Sequence, residues 1–441
     1  MISRRNFIKE TALSAFGVSL TAAIPADLLA LKRSIPPSDK LIVGLIGCKD
    51  MGFTDIRDFL LQPDVECAAM CDVDRNILES RTKDIMELQD RKPDHFGDYR
   101  KLLERKDIDA VIIGTPDHWH CLPTVHACQA GKDVYVEKPL ANSITECQVM
   151  LRAARKYERV VQVGQQQRSG MHWKAAMDFI KSGILGKIRR INIWANFGYA
   201  AGQERVPDSP VPEGVDFDMW LGPAPERSFN ASRFHGYWRM FWDYGGGLMT
   251  DWGVHLLDMA LWAMDVDYFP KSVVASGGIY ANKDRALEMP DAMNVLYEMD
   301  DFLLTWEHNG GIQVGPFDQL YGLSYVGTNG TLVIDRDRWR VFPEWDGENW
   351  RMEQPEEFKA DQKSHVNHVQ NFIECVKTRE KPAADIEIGH NVAIYAHLGN
   401  LAFRTGNKLE YDFASNTVKG DQQSTQMLTP VYRKPWEIPK I

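Results

Sequence analysis

One turn near the start of the chain constrains the fold most. Leu41 to Ile46 is a short, wholly apolar run that ends in Gly47-Cys48-Lys49-Asp50-Met51-Gly52. A buried strand that stops on glycine and opens a helix begins a β-α-β unit, with the helix N-terminus placed to receive an anion. The spacing is that of the dinucleotide fingerprint G-x-G-x-x-G, with Lys49 in place of the middle glycine. The first glycine makes the tight turn and the last lets helix and strand pack closely. The middle one normally lets backbone approach the pyrophosphate, so Lys49 either adds charge there or crowds it. Gly47, Cys48, Lys49, Met51 and Gly52 are therefore candidate cofactor contacts.

The chain repeats that alternation. Val65 to Cys71, Asp109 to Gly114, Asp133 to Val136 and Val160 to Gly164 read as further strands, with a helix from about Asp74 to Gln89. Strands alternating with helices predict a doubly wound parallel sheet, a Rossmann domain over 31–164. Asp72 ends the second strand, twenty residues past Gly52. A carboxylate there accepts hydrogen bonds from both ribose hydroxyls and repels a 2′-phosphate, which favours NAD over NADP. A solvated strand-end carboxylate is the alternative.

Two more segments sit at strand ends, where such sheets bind ligands. Thr115-Pro116-Asp117-His118-Trp119-His120 follows one strand, and Glu137-Lys138-Pro139 follows another. A lysine aimed from a strand end can stabilise a developing alkoxide and relay a proton, or it can simply cap the strand. Much later, Asp251 and His255 lie four apart in an apolar helix after Gly245-Gly246-Gly247. On one helix face, the carboxylate would orient the imidazole as a general base. A helix-capping Asp with a core His is the other reading. No third ligand nearby supports a metal.

These motifs, in this order, resemble the Gfo/Idh/MocA oxidoreductase family over nearly the whole length beyond residue 30. Trp220-Leu221-Gly222-Pro223-Ala224-Pro225 and Trp242-Asp243-Tyr244-Gly245-Gly246-Gly247 resemble its secreted bacterial branch. The resemblance implies that 165–441 forms an α/β substrate domain whose large, mostly antiparallel sheet often makes oligomer contacts. It assigns catalysis to Lys138, Asp251 and His255. It implies hydride transfer between a sugar, glycoside or polyol and NAD(P), with His255 taking the hydroxyl proton, Asp251 orienting it and Lys138 stabilising the alkoxide. Thr115, Pro116, His120 and Glu137 join the cofactor positions. Glycosidases that oxidise, eliminate and re-reduce are the alternative activity. Such relatives carry a Glu-Asn-Cys-type stretch where this chain has Gln165-Gln166-Gln167-Arg168.

Of thirteen Trp residues only Trp119 precedes residue 150, so aromatic surface suited to sugar rings, or to a large core, is concentrated later. Trp119, Arg168, His235 and Trp238 are the candidate substrate contacts, with Asp251 and His255. Ser3-Arg4-Arg5-Asn6-Phe7-Ile8-Lys9 before an apolar stretch resembles a twin-arginine export signal over 1–30. That route carries folded proteins, so a periplasmic protein with a captive, recycled cofactor is expected. Seven cysteines without a C-x-x-C pair read as buried thiols from a reducing compartment. A formal charge of −10 with no basic cluster argues against nucleic acid.

Overall fold

The computed structural model describes residues 26–441. The twin-arginine run and the apolar stretch behind it lie outside the described residues. Among the described residues no helix is long and apolar enough to cross a membrane.

Six strands form the first sheet: β1 (Leu41–Ile46), β2 (Val65–Cys71), β3 (Asp94–Phe96), β4 (Ala110–Ile113), β5 (Asp133–Val136) and β6 (Val161–Val163). All pairs are parallel, in the order β3-β2-β1-β4-β5-β6. β1, β4 and β5 are near-continuously apolar because helices cover both faces of the sheet. The order reverses direction beside β1, which opens a crevice at the strands' carboxyl ends. Helix α1 (Asp50–Leu60) starts there.

The second sheet contains β7 (Arg190–Phe197), β8 (Ser272–Gly278), β9 (Ala292–Glu298), β10 (Leu303–Gly310), β11 (Tyr321–Val326), β12 (Gly330–Ile334), β13 (Arg338–Pro343) and β14 (Phe358–Lys359). Its order is β14-β13-β12-β11-β7-β10-β9-β8. Only β7 and β10 run parallel; the other pairs are antiparallel. Burial alternates along β9 and β10, so one face is covered and the other is left open. Helices α2 (Gly247–Asp251) and α3 (Gly253–Ala263) belong to the covering layer, and Tyr325 on β11 donates to the Met259 carbonyl at 3.0 Å.

The C-terminal part returns to the first sheet. Helix α4 (Ser364–Thr378) lays Val369, Phe372 and Ile373 against α1 and β5, with the Phe372 ring 5.7 Å from Phe59 and 5.8 Å from Tyr135. Helix α5 (Ile386–Thr405) serves both cores: Ile386 and Ala393 pack under the first sheet, and Val392, Ile394 and Tyr395 pack under the second. The segment beyond residue 428 also crosses back, placing Trp436 4.9 Å from Trp119. All seven cysteines are buried free thiols.

Because α4 completes the first domain's core from the far end of the chain, Phe372→Ala should cost about 3–5 kcal/mol. A lowered denaturation midpoint measured with probes in both sheets together checks this; an unchanged midpoint refutes the shared core.

Candidate active site

Three glycines interlock at the crevice. Gly47 has φ +85, and a Cβ there would meet the Thr115 amide at 2.7 Å. A Cβ on Gly52 would come 2.0 Å from the Gly47 carbonyl, and one on Gly114 2.4 Å from Gly52 Cα. The turns after β1 and β4 are thus pressed together, and no side chain fits between them. Lys49 is tolerated because its backbone is extended (φ −94, ψ 161), and it caps α1 without a side-chain hydrogen bond. The free N–H groups of the first α1 turn remain open, as an anionic group requires.

A cleft of about 990 Å³, including its mouth, lies over this junction. Gly47, Lys49, Met51 and Asp72 line it together with Thr115, Pro116, Glu137 and Lys138, and Trp119, His235 and Trp238 contribute rings to its lining. Asp72 is turned partly inward: its carboxylate accepts from the Cys48 amide at 2.8 Å and the Asp74 amide at 2.9 Å. Burial pushes it up to about 6 against those two bonds. The residues present fit a dinucleotide: an open helix terminus, a glycine junction without Cβ atoms and a carboxylate at the end of β2.

Lys138 and Asp251 join the two domains. The Lys138 Nζ donates to Asp251 Oδ1 at 2.6 Å and to the Asp251 backbone carbonyl at 2.8 Å. Tyr199 donates to the second carboxylate oxygen at 2.6 Å, and the Arg239 guanidinium lies 3.2 Å from the first. Burial opposes the Asp251 charge, but the Lys138 ammonium and the Arg239 guanidinium hold its carboxyl well below the usual range. Asp117, buried beside the same cations, has no such direct pair, and burial pushes it up to about 8.

Several sequence expectations are corrected here. Asp251 does not pair with His255, because the helix breaks between α2 and α3 at Trp252. The His255 amide bonds to Trp252 at 3.1 Å instead of to Asp251, which frees the Asp251 carbonyl for Lys138. His255 is buried beside Lys138 with Nδ1 unpartnered, and burial, with Arg336 and Lys138, holds it neutral. Arg168 is consumed by a buried ion pair with Asp258 at 2.7 Å and stacks on Trp262, away from the cleft. Cys48 and Gly52 pack inward. His120 bridges the carbonyls of Pro139 (2.7 Å) and Thr115 (2.9 Å), so it positions the strand-end turns and does not face the cleft.

Trp119 faces the cleft but gives its indole N–H to the Trp220 carbonyl at 3.0 Å, and His235 faces it while held by Asp74 at 2.9 Å. The sequence reading quoted Asp117 and Arg239 within longer segments without a role for either, and it missed Tyr199. Arg239 adjoins Trp238 and stacks on it at 4.2 Å, a neighbour that could have drawn notice. Nothing in the local pattern marks Tyr199.

The chain's relatives agree with this layout. Residues 41–165 match the family model for the NAD-binding Rossmann fold of the Gfo/Idh/MocA oxidoreductases. Residues 169–286 and 334–438 match that family's C-terminal alpha/beta domain. A glycosyl hydrolase family 109 protein of Shewanella baltica is 28% identical over 203 residues, and an alpha-N-acetylgalactosaminidase of Shewanella oneidensis 28% over 204. Each alignment covers 42% of this chain and 44% of the relative, under half of either. A levoglucosan dehydrogenase in complex with NADH and levoglucosan superposes with TM-score 0.64 at 18% identity, over 84% of this chain and 99% of that one. An aldose-aldose oxidoreductase from Caulobacter crescentus complexed with glycerol gives the same values: 0.64, 18%, 84% and 99%. Both halves of the chain match one family in sequence order, and the protein belongs to the Gfo/Idh/MocA oxidoreductases.

Proposed function

We propose that this protein is an exported oxidoreductase that transfers hydride between a C–OH group of a sugar, glycoside or polyol and tightly held NAD. The observation that carries this reading is the Lys138–Asp251 pair buried beside the interlocked glycine turn. Bound NAD would supply the hydride acceptor. An ammonium has three protons to donate. Lys138 spends two on Asp251, which leaves one for the substrate oxygen. Lys138 thereby binds the hydroxyl and stabilises the charge that develops on it, Asp251 fixes the ammonium, and Arg239 fixes Asp251. His255, neutral and with Nδ1 unpartnered, is the base on the second domain's side. Asp72 at the end of β2 supports NAD over NADP.

A redox-neutral glycosidase is the second reading, favoured by the names of the curated relatives. It uses the same cleft. We also assign the chain to the periplasm by its Ser3-Arg4-Arg5-Asn6-Phe7-Ile8-Lys9 run, and homo-oligomer formation to the open sheet face, where Val274, Leu296 and Phe317 line a shallow depression.

Purified protein should release NAD, not NADP, on denaturation. Candidate sugars should then yield a keto-sugar with reduced cofactor, whereas a cleaved glycoside without net redox change selects the second reading; absence of nucleotide and product refutes both. Lys138→Met should lower turnover about 10²- to 10⁴-fold while NADH binding, followed by fluorescence, persists. Replacing Arg4 and Arg5 together by Lys should stop export of the full chain, read as retention in the cytoplasmic fraction.

A further inference from the structure

Behind the cleft lies a buried polar cluster that the proposed chemistry leaves unused. Tyr135 on β5 and Glu137 just beyond it are two residues apart, so their side chains leave the same face of the sheet. Helix α1 covers that face, with Phe59 5.5 Å from the Tyr135 ring and Asp55 one turn before Phe59. Asp55 is therefore brought over Glu137. Tyr135 and Asp55 are fully buried and Glu137 is 5% exposed, yet Tyr135 Oη, Asp55 Oδ2 and Glu137 Oε1 all lack a hydrogen-bond partner. Asp55 Oδ2 and Glu137 Oε1 are buried carboxylate oxygens without a donor, and one hydrogen between them would satisfy both. Gly164 leaves room for the Glu137 carboxyl; a Cβ there would lie 2.1 Å from Oε1.

The outer side is closed by His365 of α4. Its Nε2 lies 2.9 Å from Asp55 Oδ1 and its Nδ1 2.5 Å from Asp58 Oδ2, while Arg57 lies 3.2 Å from Asp58. Burial opposes a charged imidazole, but the two aspartates raise it to about 10, so it stands as an imidazolium. Burial and Asp55 push Glu137 up to about 8, against Lys138 and His365. Arg239 also faces Glu137 from the second domain, and His368 on α4 stays neutral.

We propose that Glu137 and Asp55 share one proton behind the cleft, that His365 sets how tightly it is held, and that this proton biases the site toward the reduced nicotinamide. Two close carboxylates cannot both ionise, and one O–H···O⁻ bond satisfies both orphaned oxygens. Glu137 lines the cleft next to Lys138, so its charge is felt by whatever binds there. The oxidised nicotinamide ring is positive and the reduced ring neutral. A protonated Glu137 withholds attraction from the first and leaves the second unaffected. His365 is a positioning residue acting through Asp55. The proposal rests on NAD as the bound cofactor.

The ratio of NAD⁺ to NADH affinity, measured by calorimetric titration of the full chain, should rise about tenfold as pH goes from about 7 to about 9 and Glu137 ionises. Glu137→Gln should flatten that dependence, while Asp117→Asn, which removes the other high carboxyl in the cleft, should leave the Glu137 step in place. His365→Gln takes away a cation that favours ionisation, so the midpoint should move up by about one unit. His365→Lys should restore it. Should Glu137→Gln fail to fold, Asp55→Asn tests the same pair. A flat ratio in the unaltered protein, or one unchanged by Glu137→Gln, overturns the proposal. Independently of nucleotide, infrared spectra near neutral pH should show a protonated-carboxyl band that Glu137→Gln removes, and its absence also overturns the shared proton. Failure to bind either nucleotide while that band is present counts instead against the assignment of the cofactor.

Discussion

The active site depends on one lysine crossing from one domain to the other. Lys138 leaves the end of β5 and donates twice to Asp251, once to the carboxylate and once to the backbone carbonyl. At the second bond the helix is broken at Trp252, so the Asp251 carbonyl has no helical donor from His255 and is open to the lysine. In an unbroken helix the Asp251 carbonyl would belong to the His255 amide. The break releases an acceptor at the point where a buried ammonium needs one. Breaking a buried pair of this kind is costly, since it strands a charge away from water. The same contact therefore fixes the domains and orients the reactive group.

Around this contact the two domains are held by chain that travels far in sequence. Helix α5 has residues in both cores, α4 covers α1, and the last residues return to Trp119. His365 is the polar counterpart of that wrapping, pinning α4 to Asp55 and Asp58. The helix that opens toward the cofactor is consequently braced from behind by the C-terminal part of the chain. Any displacement of α4 would be felt at the glycine turn.

Several side chains that looked like contacts serve instead to place contacts. His120 bridges two backbone carbonyls, and Arg168 neutralises Asp258. Each carries a polar group that burial would penalise unless it were paired, and the pair it found is structural. Arg239 and Tyr199 took the opposite course, and their functional position follows from reaching Asp251 across the fold.

By itself the sequence determined the elements that local chemistry controls. Apolar runs buried on both faces marked the parallel strands, the Gly47 to Gly52 turn marked where a helix N-terminus meets the sheet, and Asp72 and Lys138 were legible because each ends a strand. What only the tertiary structure decided were the partnerships between residues on different elements, such as Lys138 and Asp251, 113 positions apart. Asp251 chose Lys138, Tyr199 and Arg239 over His255, four residues away, because a single break in helical hydrogen bonding removed the spacing on which that pairing relied. The packing of α4 behind Glu137 was equally invisible, since no local pattern records which sheet face an amphipathic helix will cover.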